Sequence, residues 1–587
     1  MADTIVGHDL PPGAIDLPES TQPTPLTPST RAELDVSLNT LAQHRQEWAQ
    51  LALPDRIEYL DRLLADIRPL GPEWVAASVL AKGLQSDRRG QGEEWLVFAI
   101  VLRTLRILRS VLDELAKNNR PSLPRPLRTR SNGQVVADVF PLNWMDALLH
   151  RNVRAEVWME PGQTIADVHS AQAKAYHQQS PEGELVLVLG AGNIASLITT
   201  DVLYKMFVEN AVVILKPNPV NAYIGTLLER GFASLIEAGY LRIVYGGPTV
   251  GDALAADSRV DAIHLTGSDK SFESIVFGSG EEARRRKAER RPKLNKPFTA
   301  ELGNVTPVII VPGPWSRQDV NIQANRIASW FASNAGFNCL TPRVIIQHRE
   351  WRQRAQMLDA VGEILARIEP RRAYYPGAQR RYKMYTDAHP EARRYGKADA
   401  GQLPWTLIPD VDPRAEDDIC FKSEAFCSVF AETGLAATDA ADFLDRAVRF
   451  ANDTLWGTLT ASIVIHPASL REPKIAAALE RALENLHYGM IAVNLRVVYG
   501  YYVMVAPWGS HPGQTMYDVQ SGISAVNNLL MFDRPEKSIV RGPFRPRPDF
   551  LSADFRHLDA FGERLSRYEA RGSLRHLPGL VYTLLRP

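Results

Sequence analysis

The chain has 587 residues, 45% of them hydrophobic and 23% charged, which excludes a disordered or fibrous protein and leaves room for a multidomain core. Lys and Arg total 67 against 67 Asp and Glu, so no global field draws in nucleic acid or an anionic membrane. Cys339, Cys420 and Cys427 are too few, and odd in number, for a secreted disulfide framework, and a reducing cytoplasmic setting fits them.

In chain order, residues 1–30 carry Asp3, His8, Asp9, Asp16 and Glu19 among prolines and serines, with neither a basic n-region nor an apolar h-region, and read as a disordered tail. From 31 to 107 the spacing of Trp48, Leu51, Ile57, Leu60, Leu63 and Leu64 is helical, Pro54-Asp55 marks a helix start, and a further helix is predicted over 92–117. Residues 118–134, rich in Pro, Arg and Asn, form a surface connection leading to extended segments at 135–140 and 153–159.

At Pro181 the pattern changes. Apolar runs at 184–189 and 211–215 flank a predicted helix over 194–210, a βαβ unit, and the alternation continues through strands at 241–245 and 262–265. The result is a doubly wound parallel sheet, and a second α/β lobe begins near 298 with strands at 308–311 and 343–347 around a helix at 319–333. The longest apolar runs fall far short of the ~20 residues that span a bilayer, so no transmembrane segment is expected. Residues 535–587, with ten Lys/Arg against six Asp/Glu, read as a solvated appendage packed on the body or on a neighbouring subunit; a membrane-surface or partner-binding arm is the alternative.

Strand 184–189 runs into Gly190-Ala-Gly-Asn-Ile-Ala195, a G-x-G-x-x-A turn opening a helix, as in dinucleotide fingerprints. The next strand ends in Lys216-Pro-Asn-Pro219 instead of the acidic residue that usually bonds ribose. Further along stand Leu265-Thr-Gly-Ser268, Thr299-Ala-Glu-Leu-Gly303, Asn334-Ala-Gly-Phe-Asn-Cys339, Glu424-Ala-Phe426, Ala451-Asn-Asp-Thr-Leu-Trp-Gly457 and Pro507-Trp-Gly509. In order and kind this set resembles the aldehyde dehydrogenase superfamily across most of residues 36–530.

The resemblance implies an α/β fold of two doubly wound parallel-sheet lobes with a small bridging element. It assigns 31–145 and 172–300 to a dinucleotide-binding domain, 146–171 and 523–534 to a bridging and oligomerisation element, 301–522 to a catalytic domain and 535–587 to an extension. It implies Cys339 as nucleophile, Glu301 as general base and Asn193 as oxyanion donor, with Lys216, Gly267, Ser268, Glu424 and Phe426 holding NAD or NADP. The reaction implied is oxidation of a small-molecule aldehyde to an acid through a thiohemiacetal and a thioester, in a homodimer or homotetramer. A cysteine attack gives the carbonyl carbon the tetrahedral anionic form from which hydride can leave, and the thioester then needs a base-activated water.

Several positions depart from the family pattern. Gly192 replaces an aromatic before Asn193, Asn304 replaces a glycine, Cys427-Ser428 replaces Gly-Pro, Phe272 stands where a glycine would leave room for pyrophosphate, and Pro219 stands where a glutamate often binds the ribose diol. NADP therefore becomes admissible. Asp518 is a weak candidate for a proton relay, and Trp144, Phe337 and 499–502 for a substrate wall. Two other readings stay open, an acyl-CoA or acyl-carrier thioester reductase and a non-catalytic scaffold. His264 reads as a core residue, Cys420 and Cys427 match no ligand spacing, and no metal is assigned.

Overall fold

The computed structural model describes residues 26–585; most of the expected tail therefore lies outside the described residues. Four helices open the chain: α1 (Arg31–Gln50), α2 (Leu53–Ile67), α3 (Gly71–Lys82) and α4 (Arg88–Asn118). Thr30 and Glu33 form a reciprocal capping box that starts α1, Pro54 sits in the first turn of α2, and Asp87 accepts from Gly90 N to start α4. Phe98, Ala99, Val101, Leu102, Leu105 and Leu108 of α4 are all buried. Residues 97–105 of α4 are buried on every face, which makes the middle of this helix a core segment.

Three strands follow, β1 (Arg128–Thr129), β2 (Val135–Phe140) and β3 (Arg154–Met159). The first lobe then supplies β4 (Leu185–Leu189), β5 (Val212–Lys216), β6 (Leu241–Ile243), β7 (Ala262–Thr266) and β8 (Phe298–Glu301). β4, β5 and β7 are buried almost throughout, as strands covered by helices on both faces must be. Neighbours run β8-β7-β4-β5-β6, all parallel, so chain order reverses at β4 and β7. A crevice opens at the carboxyl ends of strands where order reverses. Gly190 and Gly267 leave the sheet at those ends.

The second lobe contributes β9 (Thr306–Ile310), β10 (Pro342–His348), β11 (Arg393–Tyr395), β12 (Trp405–Ile408), β13 (Val429–Leu435), β14 (Thr460–Val464) and β15 (Met490–Val493). Short strands β16 (Trp508–Gly509), β17 (Gly522–Ile523) and β18 (Ala525–Val526) precede β19 (Pro535–Arg541). β17 closes the first sheet against β8, antiparallel, with Gly522 opposite Glu301. The large sheet runs β1-β2-β3-β19-β15-β14-β9-β10-β13-β12-β11.

Two expectations shift here. The boundary at 535 falls inside the fold, because β19 lies between β15 (parallel) and β3 (antiparallel) and is buried at its centre. The bridging strands thus include 135–140 as well as 154–159, and they close on the chain's own second sheet.

Nor is the C-terminal segment a solvated appendage. The helix Leu558–Glu569 crosses α4 so closely that a Cβ on Gly92 would lie 2.6 Å from Asp559 N. Glu569, fully buried, meets Arg103 at 3.1 Å and also pairs with Arg106; Arg103 reaches Asp146 at 3.2 Å, and Tyr502 Oη donates to Glu569 at 2.8 Å. Burial alone would raise the Glu569 carboxyl, but Arg106 and Arg103 hold it down at about 2. Replacing Glu569→Gln leaves Arg106 without its counter-charge and Arg103 with Asp146 alone, and removing one partner of a buried pair costs about 3–5 kcal/mol. A urea titration of the variant should show a lower midpoint at unchanged slope. An unmoved midpoint would dissociate the helix from this ion pair.

Candidate active site

The two sheets meet end to end. Glu301 is the last residue of β8, at the carboxyl end of the first sheet, while Cys339 and Glu424 lie just before the amino ends of β10 and β13 in the second. Because β10 and β13 are parallel neighbours, their leading segments are brought side by side. Strand register does the same for the first lobe: Thr266 pairs with Glu301, and Gly267 N donates to Glu301 O at 3.0 Å, so the Thr-Gly-Ser turn and the carboxylate share one ledge.

The Cys339 segment is held in an unusual backbone. Asn334, Ala335 and Gly336 all have positive φ (48°, 55° and 80°), costly for the first two, which puts strain at the turn leading to the thiol. Buried Arg343 pins this turn, donating to Gly336 O at 2.6 Å and to Cys427 O at 2.7 Å, and so ties the cysteine loop to the Glu424–Cys427 segment. Asn193 Nδ2 donates to Phe337 O at 2.9 Å, two residues before Cys339.

Cys339 is the partly exposed one of the three free cysteines; Cys420 and Cys427 are buried. Its thiol hydrogen-bonds Glu301, and burial together with the Glu301 and Glu424 charges pushes it well above the usual thiol range. Glu301 is itself raised to about 7 by burial, against the pull of a Trp508 Nε1–H donated to Oε1 at 3.2 Å and of the thiol. The pair is thus a protonated thiol against a carboxyl balanced near neutrality.

Glu424 is raised to about 7 by burial despite Arg343, and its Oε1 is shut away without a partner. Its Oε2 presses on Gly303, where a Cβ would lie 2.0 Å away, so a larger residue there would push the Glu424 carboxylate aside. Asn304 does not use positive φ; its amide anchors β9 to β14 through Thr460 O at 2.8 Å. Lys216 is nearly buried with no carboxylate on its amine, only Pro217 O at 3.5 Å, and burial lowers it to about 8.

These features fit a dinucleotide. An unpaired amine at the end of β5, an orphaned carboxylate oxygen at Glu424 and the uncapped start of the helix Ala195–Phe207 are donors and acceptors awaiting partners. Ser268 caps the next helix by accepting from Ser271 N, and Phe272 turns inward against Phe298, 4.9 Å between ring centres, so it does not crowd the turn.

The space left by Gly192 is not empty. A Cβ there would lie 3.0 Å from the Tyr375 hydroxyl, on a loop of the second lobe whose rings pack with Phe337 and Phe426. Tyr374 Oη donates to Asn193 O and Asn334 Oδ1, both at 3.0 Å, and Arg371 fixes the loop to Asp87 and Glu93 at 2.7 Å each. Arg343, Tyr374 and Tyr375 escape sequence reasoning because no short motif links them to Cys339, and the Pro507-Trp-Gly509 motif by itself does not reveal the Trp508 bond to Glu301.

Other expected residues lie apart. Asp518 is exposed in a surface turn, bonded to Gln520, and Trp144 is 61% exposed. Phe337 lines the site, whereas Tyr499 and Tyr502 pack around His150 and the former against Phe550. His264 is a bonded core residue, 2.9 Å from Thr299 Oγ1. A hollow of about 600 Å³ lined by Gly313, His348, Trp351 and Asp439 opens at the opposite ends of the second sheet and holds none of these groups.

Known proteins resemble this chain in sequence and fold. The Aldehyde dehydrogenase family profile matches residues 98–369. Aldehyde dehydrogenase family 3 member B1 of Homo sapiens is 24% identical over 218 residues, 37% of this chain and 42% of that protein. N-succinylglutamate 5-semialdehyde dehydrogenase of Novosphingobium aromaticivorans is 25% identical over 34% of this chain and 38% of its own. The aligned part thus spans about two fifths of these relatives. Among solved structures, aldehyde dehydrogenase C from Pseudomonas syringae with NAD+ and octanal superposes with a TM-score of 0.59 at 16% identity, covering 89% of this chain and 90% of that one. NADP-dependent glyceraldehyde-3-phosphate dehydrogenase from Bacillus halodurans with NADP gives 0.58 at 17%, covering 87% and 91%.

Trp508→Phe removes a donor that favours the charged form of Glu301, so the Glu301 midpoint should rise above about 7. The check is the pH profile of Cys339 alkylation, whose rise should move to higher pH. A superposable profile would separate Trp508 from the carboxylate that faces the thiol.

Proposed function

We propose that the chain, whose residues 98–369 match the Aldehyde dehydrogenase family profile, is a member of that superfamily and oxidises an aldehyde to a carboxylic acid with NAD or NADP, Cys339 being the nucleophile and Glu301 the general base. The observation that carries this reading is the Cys339–Glu301 pair, a partly exposed thiol bonded to a buried carboxyl where the two sheets meet.

A thiol held above its usual range attacks only if its proton has somewhere to go, and a carboxylate near 7 is a matched acceptor at neutral pH. Proton transfer to Glu301 and bond formation from Sγ to the carbonyl carbon give a thiohemiacetal. The Asn193 amide, placed by its bond to Phe337 O, is a pre-positioned donor for the oxyanion. When bound, the nicotinamide cofactor supplies the hydride acceptor. Glu301 then passes the thiol's proton to solvent, and as a carboxylate again it deprotonates the water that cleaves the thioester; that proton returns to the leaving thiolate as Cys339 is regenerated.

For the cofactor itself, Lys216, Gly267, Ser268, Glu424 and Phe426 are the residues that hold it. Glu424 Oε1 is an unpaired acceptor suited to a ribose hydroxyl. Tyr375 occupies the space vacated at Gly192 and walls the site from the second lobe.

Cys339→Ala should abolish turnover and leave dinucleotide binding largely intact. Glu301→Gln should give a burst of reduced cofactor followed by a slow steady state, because the base is needed to release the acyl group. Labelling of trapped acyl groups at Cys420 or Cys427 would overturn the nucleophile. Full turnover of Glu301→Gln with CoA as acyl acceptor would replace hydrolysis by acyl-thioester chemistry.

Cofactor choice follows from Lys216 and Pro219. The amine has no neighbouring carboxylate, and exposed Pro219 opens the following turn, so a 2′-phosphate meets no like charge there. NADP should bind at least comparably to NAD. Pro219→Glu should weaken NADP by on the order of 1 to 3 kcal/mol and NAD by less, read by tryptophan fluorescence titration. Strong rejection of NADP by the parent would move the ribose pocket away from Lys216.

A further inference from the structure

Away from Cys339, the helix Ala378–Ala388 ends at His389, and the short helix Ile419–Lys422 begins at Asp418. One nitrogen of His389, one carboxylate oxygen of Asp418 and Cys420 Sγ lie within 4.8 Å of one another. His389 Nε2 is 3.2 Å from Asp418 Oδ1, while its Nδ1 is 2.9 Å from Glu391 Oε1. The Cys420 thiol also hydrogen-bonds Asp418 and is buried. Capping of the short helix needs only the bond from Cys420 N to Asp418 Oδ1 at 2.8 Å. It does not require an imidazole and a thiol turned to the same carboxylate.

We propose that His389, Asp418 and Cys420 form a zinc site, with Glu391 as the outer carboxylate that orients the imidazole. Two ligands each about 2.0–2.1 Å from a tetrahedral zinc stand roughly 3.3 Å apart, close to the observed nitrogen-to-oxygen spacing. The sulfur closes by about an ångström to reach its zinc bond of roughly 2.3 Å. A thiolate, an imidazole and one carboxylate suit zinc better than calcium or magnesium, which demand oxygen shells. Glu391 on Nδ1 leaves Nε2 as the free lone pair, the carboxylate–histidine arrangement that fixes a ligating tautomer. Binding displaces the thiol proton to solvent, and water takes the fourth position.

The site lies behind the active centre. The first of its two segments ends the helix that follows the Tyr374–Tyr375 loop, and the second leads within four residues to Glu424. Tyr385 Oη already bridges the two by donating to Ser423 O at 2.5 Å. A metal there staples the loop that walls the cysteine to the segment that carries Glu424 and Phe426. The inference does not depend on the reaction assigned to Cys339.

The test is full-length protein purified with zinc, dialysed, and analysed for metal, then exchanged to Co2+ as a spectroscopic probe. About one tightly held ion per chain is expected, with a thiolate-to-cobalt charge-transfer band that disappears in Cys420→Ser and persists in Cys339→Ser and Cys427→Ser. Glu391→Gln, which touches no metal, should weaken cobalt binding by about tenfold or more. If Cys420→Ser does not fold, His389→Gln carries the same reading, with loss of retained metal expected. No stoichiometric metal and no band, or a band that survives Cys420→Ser and vanishes in Cys339→Ser, overturns the site.

Discussion

Little water reaches the place where two sheets abut, and into that place the chain puts a buried carboxyl, Glu301, beside a partly exposed thiol, Cys339, and a partly exposed carboxyl, Glu424. Desolvation raises all three, Cys339, Glu301 and Glu424, so none can ionise without a donor or a cation nearby. Trp508 and the thiol supply donors to Glu301, and Arg343 supplies positive charge near Glu424. The same burial that makes these groups reactive makes them expensive to hold. The surrounding structure is accordingly stiff: a strained Asn334–Gly336 turn, clamped by Arg343, on the amino end of a fully buried strand.

The rigidity extends into the second lobe. The Arg371–Tyr375 loop closes on the site from outside, anchored by ion pairs to Asp87 and Glu93 of the amino-terminal helices. Glu93 also accepts from Asn334 N at 3.1 Å, so the outer helices, the loop and the strained turn share one polar network. Asn218 and Tyr375 fill the space beside Gly192. A proposed zinc ion behind this loop would brace it from its other end.

The carboxyl-terminal segment joins the same frame through α4. Glu569 lies among Arg103, Arg106 and Tyr502, and Leu551 O accepts from both Arg89 and Arg496. Charges buried this deeply need every partner in place. The segment is thus part of the body that joins α4 to the short helix Val498–Val503.

The sequence by itself determined the periodic elements and the ordered motifs. Continuous apolar runs at 185–189 and 212–216 require strands buried on both faces, and helical spacing from Trp48 onward requires α1 and α2, because burial and backbone hydrogen bonding act over a few residues. The resemblance likewise marked Cys339, Glu301, Asn193 and Glu424, which lie in short recognisable segments. Only the tertiary structure decided what fills the space beside Gly192, that Phe272 points inward, that Asp518 is remote, and that 535–541 is a strand between β3 and β15. Trp508, Arg343 and Tyr375 approach the thiol from 169, 4 and 36 residues along the chain. Contacts of that kind depend on sheet register and on which lobe faces which, and no local pattern of side chains encodes either.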